Sequence, residues 1–189
     1  MSKELIPASD QKSFQERLRS KLGQKFQADH LSNPSECLLL DVTGSMWGQR
    51  IERLREATHA FSKSVRRFCY NETCWELSPS EEIPEPSDQN YEDIAFAYIK
   101  EKGIQHAIMI TDGGSNRPTK ALKAAIGLKI DIIYIGPPPR PKFLEDLAKA
   151  TGGSFDNIKF DSDSAAKLLN TKIRGLLPAP PPAKKAIEL

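Results

Sequence analysis

Cysteine is scarce. Cys37, Cys69 and Cys74 are an odd number among 189 residues, with no C-x-x-C pair and no histidines at zinc-ligand spacing. That argues against a disulfide scaffold and a zinc module: Cys37 reads as a small hydrophobe, and a bridge between Cys69 and Cys74 is open to the sequence but disfavoured in an intracellular setting. Histidine is equally sparse: His30, His59 and His106 are scattered and read as solvated surface. Charge of one sign is lacking too. Lysine and arginine number 27 against 25 acidic residues, a formal net charge of +2, which gives none of the basic excess of a nucleic-acid binder. No apolar run approaches the ~18 residues that cross a bilayer. The start, Met1 to Pro7, has no apolar signal segment. These absences lead to the expectation of a cytoplasmic protein with neither membrane nor nucleic acid as partner.

What is present suits one soluble core, with 39% hydrophobic and 28% charged residues. Residues 1–33 are expected to be an extension whose Phe14, Leu18, Leu22 and Phe26 recur every four positions, the stripe of an amphipathic helix. Residues 34–176 alternate strand and helix. Glu36 to Asp41, His106 to Thr111 and Ile130 to Ile135 are continuous apolar runs, as in parallel strands covered on both faces. Ile51, Leu54, Thr58, Phe61, Val65 and Phe68 step by three or four, predicting one helix over 49–68.

Thr73 to Leu77 reads as a short strand, followed by an acidic, proline-bearing loop from Glu81 to Asp88 that contributes little core. Helices are expected over 91–102, closed by Gly103, over 119–128, and from Phe143 until Gly152-Gly153 stops it. Pro137 to Pro141 is a rigid connection, Ser154 to Ile158 an edge strand, and Asp161 with Ser162 caps a last helix carrying Ala165, Leu168, Leu169 and Ile173. Residues 177–189 form a proline-rich tail. The alternation specifies a three-layer, Rossmann-like α/β fold: a mostly parallel sheet with helices on both faces. Ligands of such sheets bind beyond the carboxyl ends of the strands.

Two strands end in oxygen-bearing side chains at that edge, Asp41-Val42-Thr43-Gly44-Ser45-Met46 and Thr111-Asp112-Gly113. A hard divalent cation takes six oxygens at about 2.1 Å and parts reluctantly with water. Hydroxyls of Thr43 and Ser45 are suited to direct contact, with Asp41 and Asp112 accepting from coordinated waters. Neutral hydroxyls leave the ion's charge poorly cancelled, so an open position attracts an acidic group from another molecule.

The segment from Asp41 to Ser45 resembles the D-x-S-x-S signature of von Willebrand factor A domains, with Thr43 for the first serine. The likeness runs on through Met46, Gly48 and Ile51, and Thr111-Asp112-Gly113 is similar to the family's second acidic motif. It covers roughly Glu36 to Arg174. The resemblance implies that family's fold and a metal-ion-dependent adhesion site for Mg²⁺ or Mn²⁺. It implies protein binding rather than catalysis, through an acidic side chain of the partner, within an assembly that includes an ATPase or another component.

Two departures stand out. Asn90-Tyr91-Glu92-Asp93-Ile94-Ala95 puts Glu92 where the family has a threonine. Glu92 therefore joins Asp41, Thr43, Ser45 and Asp112 as a candidate metal ligand, with Ser87, Asp88 and Asn90 as other candidates for that position. The stretch between the first helix and Tyr91 is also short for the family's two strands, so an abbreviated sheet edge is expected.

Three other readings use the same residues. Asp41 and Thr43 are suitable caps for the following helix. Asp41-Val42-Thr43-Gly44-Ser45 also looks like the D-x-D-G-T motif of haloacid-dehalogenase-type phosphatases, with Asp41 as nucleophile, but Thr43 replaces the acid that protonates the leaving group. A metal-independent scaffold is the third. Trp47, just beyond the motif, lines a binding rim or packs under the loop.

Overall fold

The register of the sheet explains why the two motifs meet. A computed structural model describes residues 35–160 and 164–177. The strands are β1 (Glu36–Asp41), β2 (Arg66–Tyr70), β3 (Cys74–Leu77), β4 (His106–Thr111), β5 (Lys129–Tyr134) and β6 (Phe155–Asn157). They form one sheet in the order β3-β2-β1-β4-β5-β6. All neighbours are parallel except β2 and β3. The order reverses between β1 and β4, which is where crevices open in doubly wound sheets. Asp41 stands opposite Tyr70 of β2, and Leu40 opposite Ile110 of β4. Asp41 and Thr111 therefore leave the sheet side by side.

Helices α1 (Gln49–His59), α2 (Glu92–Glu101), α3 (Pro118–Ala124), α4 (Lys142–Thr151) and α5 (Ala165–Leu176) cover both faces. Leu38, Leu40, Cys69, Ile108 and Ile110 pack with Ile51 and Leu54 of α1 and Leu169 and Ile173 of α5. Cys37, Leu39, Phe68, Met109 and Ile132 pack with Phe96 and Ile99 of α2, Ala121 of α3 and Leu144 of α4. The unbroken Leu38-Leu39-Leu40 run thus serves two cores at once, because successive side chains of a strand point to opposite faces. Each such side chain, removed entirely from water, contributes about 1.5–3 kcal/mol.

The predicted helix over 49–68 stops at His59. Phe61 and Val65 keep helical spacing in the turns that follow, where Val65 N–H still donates to the Phe61 carbonyl at 3.0 Å. Phe68 belongs to β2, with Phe68 and Tyr70 facing one core and Cys69 the other. A period of two was hidden inside apolar positions that also fit a period of three to four. With Arg66 to Phe68 in β2 instead of the helix, both strands fit before Tyr91, and the expected abbreviated edge is β3. Only the edge strands are brief, β3 with 4 residues and β6 with 3.

The acidic loop gives more to the core than its composition suggests: Ile83 is 3% exposed, and Arg67 Nη2 donates to the carbonyls of Ser78 and Glu81 at 2.9 Å each. His106 is not solvated surface. Its Nε2 lies 2.6 Å from Asp131 Oδ2 and its Nδ1 3.3 Å from Glu36 Oε1, at the amino end of the sheet. The three cysteines are free, and burial pushes each thiol up, away from reactivity. No helix among the described residues is long and apolar enough to cross a membrane. The predicted N-terminal helix, the proline tail, His30 and the Asp161–Ser162 cap lie outside the described residues.

Candidate functional site

β1 ends in Asp41, and the chain turns through a single 3-10 turn, Gly44–Met46, before Gly48 (φ 79°) admits it to α1. Neither that turn nor α1 carries a side-chain cap, so Asp41 and Thr43 do not serve as helix caps. Asp41 is fully buried. Its Oδ1 accepts from the Thr43 backbone N–H at 2.8 Å and from Thr43 Oγ1 at 2.6 Å. Its Oδ2 accepts from Thr111 Oγ1 at 2.6 Å. From the second motif, Asp112 Oδ1 accepts from Ser45 Oγ at 2.6 Å. The structure therefore brings Asp41, Thr43, Ser45 and Asp112 into one connected group.

The hydroxyls of Thr43 and Ser45 each bond a carboxylate, Asp41 and Asp112. Thr43 Oγ1 and Ser45 Oγ stand only 3.2 Å apart. Either hydroxyl can also donate to the other across that gap. Oxygens along the edge of an octahedron with bonds of about 2.1 Å stand about 3.0 Å apart, so the spacing fits a shared hard cation. Among the described residues no group of three or more His, Cys, Asp or Glu side chains is placed to hold a metal. The candidate centre depends on hydroxyl oxygens instead.

Glu92 is fully buried at the start of α2. Its Oε2 accepts from Ser115 Oγ at 2.5 Å, and its Oε1 is buried without a partner. It makes no hydrogen bond with the other four but lies within electrostatic range of Asp41. Burial first, opposed by the Ser115 hydrogen bond and aided by the Asp41 charge, raises the Glu92 pKa to about 7. Burial likewise raises Asp41 to about 6, against the hydrogen bonds from Thr111 and Thr43. Asp41 and Glu92 are thus two buried carboxyl groups close enough to repel one another, and Glu92 Oε1 is an acceptor that no donor reaches.

Of the other candidates, Asp88 gives its backbone carbonyl to Gly44 N–H at 3.1 Å, and its carboxylate accepts from Ser87 and Asn71. Asn90 is buried with Oδ1 unpartnered.

Sequence reasoning missed three contributors. Arg50, in the first turn of α1, places Nη1 2.7 Å from Asp112 Oδ2 and 2.8 Å from the Ser45 carbonyl. Tyr70 sits opposite Asp41 with its hydroxyl buried, and it opens a stretch that reads as irregular in sequence. Ser115, the partner of Glu92, lies three residues past Asp112 in Gly113-Gly114-Ser115, where its position after the motif was the available signal. Trp47, directly after this turn, is 59% exposed and does not pack beneath the loop.

No family model matches the sequence, and no curated protein matches it. The likeness lies in solved structures. The von Willebrand factor type A structure from Catenulispora acidiphila superposes with a TM-score of 0.58 at 18% identity, over 72% of this chain and 41% of that one. This chain thus matches less than half the length of that relative. The TFIIH p34 N-terminal domain matches 76% of this chain and 98% of its own at 13% identity, with a TM-score of 0.42, too loose to argue from. The fold is therefore that of a von Willebrand factor A-like domain: an α/β protein with a six-stranded, mostly parallel sheet between helices.

Proposed function

We propose that this chain is a protein-interaction module whose contact point is a divalent cation, Mg²⁺ or Mn²⁺, held at the carboxyl ends of β1 and β4. The observation that carries the reading is the convergence of two strand ends on one oxygen cluster, with Thr43 Oγ1 and Ser45 Oγ 3.2 Å apart and each bonded to a carboxylate, Asp41 or Asp112. Thr43 and Ser45 would ligate directly, Asp41 and Asp112 would orient the hydroxyls and bind waters, and Glu92 would supply further negative charge. When bound, the cation supplies an electrophilic position able to take a partner's carboxylate.

Binding is favoured over phosphoryl chemistry by the state of Asp41. A nucleophile needs a free, approachable lone pair, and this carboxylate is fully buried with both oxygens accepting hydrogen bonds from Thr43 and Thr111. A chain of this kind fits a cytoplasmic assembly in which an ATPase or another component presents an acidic loop. Calorimetric titration with MgCl₂ and MnCl₂ tests the reading. Saturable binding by the native protein and its loss in Asp41→Ala, with both folded by circular dichroism, are expected. Equal affinities in the two proteins would remove the proposal.

A further inference from the structure

The last turn of α1 and the loop after β3 border a pocket of about 400 Å³, whose charged lining is Arg55, Lys63 and Arg67 with Glu81 and Glu82, beside His59. It lies at the end of α1 remote from the Thr43–Met46 turn. Arg67 is 4% exposed. Its Nη2 is spent on the carbonyls of Ser78 and Glu81, and its Nε is buried without a partner. No carboxylate among the described residues forms an ion pair with it. A guanidinium taken out of water without a paired counter-charge is costly, and carbonyl partners repay only part of that cost. Lys63 is exposed at the same pocket and likewise has no acidic partner among the described residues.

Two acids line the pocket, and Glu81 acts on Arg67 through space, but neither closes an ion pair with it. Glu81 turns its carboxylate to the Ser78 backbone N–H at 2.8 Å, Glu82 is exposed, and Glu85 is engaged by Arg55 at 2.9 Å. What faces the pocket is the guanidinium groups of Arg55 and Arg67, the Lys63 ammonium, an imidazole and the hydroxyls of Ser62 and Ser80, against the two carboxylates of Glu81 and Glu82. The donors are more than a single carboxylate can use, and a set that matches a tetrahedral oxyanion.

We propose that this pocket binds a phosphate-type oxyanion, independently of the metal centre. The carbonyl end of α1 is electrostatically negative and disfavours an anion. The affinity must therefore come from Arg67 and Lys63. The volume, at the lower end of the range for ligand pockets, leaves room for a group larger than the bare ion, such as a phosphorylated side chain.

The test uses the full chain in titration calorimetry with sodium phosphate, with sodium chloride at matched ionic strength as control. Saturable phosphate binding absent from the chloride control is expected, weakened by about tenfold or more in Lys63→Glu, where an exposed cation becomes an anion. Arg67→Lys is measured in parallel, since Arg67→Ala would also release the loop that its Nη2 holds. It should fold, by thermal melting, and bind phosphate several-fold more weakly.

A phosphoserine peptide binding well above inorganic phosphate, with its unphosphorylated form silent, would identify the source as a modified polypeptide. Equal affinities would identify the free ion. Phosphate heats no different from chloride, or native affinity in Lys63→Glu, would overturn the proposal.

Discussion

Arg50 Nη1 lies 2.7 Å from Asp112 Oδ2, and the carboxylate it holds is almost wholly buried. The guanidinium, about a third exposed, thus neutralises one of the three acids of the candidate metal centre from the solvent side. A cation already in place opposes a second one nearby. Arg50→Ala should therefore tighten Mg²⁺ binding by about 5–10-fold, equivalent to roughly 1–1.4 kcal/mol. Calorimetric titration of the two proteins checks it; weaker binding in the variant would mean that Arg50 organises the site rather than competing for it.

Glu92 and Asp41 predict how stability follows pH when metal is removed. Burial holds Glu92 at about 7 against an ordinary value of 4.5, and Asp41 at about 6 against 3.8. A folded pKa above the unfolded one means that the native state binds the proton more tightly. The contribution is fully present below the ordinary value and is lost as pH rises through the folded one. In chelator, melting temperature should fall between pH 5 and pH 8. Glu92→Gln, which keeps an acceptor for Ser115, should remove about 3 kcal/mol of that loss. Thermal melts at both pH values, native against variant, check the prediction.

The two halves of this site differed in how far they could be read from sequence. Asp41, Thr43, Ser45 and Asp112 lie at the ends of strands whose apolar runs are unambiguous, and a parallel sheet must bring the ends of neighbouring strands together. Arg50 and Tyr70 were not legible for physical reasons. Arg50 looks like any polar residue on an amphipathic helix, and only the fold turns it toward Asp112. Tyr70 belongs to a strand whose apolar residues, preceded by Phe61 and Val65, also satisfy helical spacing, with no Gly or Pro between Gln49 and Tyr70 to mark the change. His106 illustrates the same limit. Nothing near it in sequence shows that Glu36 and Asp131, on two flanking strands, converge on its ring.

At the amino end of the sheet, Asp131 accepts from the Ser154 backbone N–H at 2.7 Å and its hydroxyl at 2.8 Å, and faces His106 at 2.6 Å. Burial raises its pKa, but the hydrogen bonds from Ser154 and His106 outweigh burial and hold it below the ordinary 3.8. A depressed folded pKa gives stability that is present above the unfolded value and lost as pH falls through the folded one. Asp131→Asn should cost about 2–3 kcal/mol at pH 7, because charged hydrogen bonds to a buried group are lost. In urea titrations the gap between native and variant should close only below about pH 4.

Gly136 sets how closely β5 passes Asp112. A Cβ there would overlap the Asp112 carbonyl oxygen and the Tyr134 hydroxyl, and the carbonyl is backbone that cannot swing aside. Gly136→Ala should therefore displace the end of β4 as well as destabilise the protein, by about 1–3 kcal/mol for overpacking. Its diagnostic result is a loss of Mg²⁺ affinity in a variant that still melts cooperatively. Unchanged affinity would show that the position of Asp112 is not what the cation reads.

Trp47 separates metal binding from partner binding. The side chain follows the Thr43–Met46 turn directly, donates nothing to the candidate centre, and is 59% exposed. Its neighbour Met46 is fully buried and fixes the turn from below. Large aromatics on a rigid turn are the residues whose truncation most weakens protein interfaces, commonly by 2 kcal/mol or more, about a thirtyfold change in affinity. Trp47→Ala should leave melting temperature and Mg²⁺ affinity unchanged, since it removes neither a core contact nor an oxygen. It should reduce recovery of whatever protein is captured in Mg²⁺ and released by chelator. Capture at native levels by Trp47→Ala would place the docking surface elsewhere on the domain, because a partner seated on a cation between Thr43 and Ser45 could not avoid the indole two residues away.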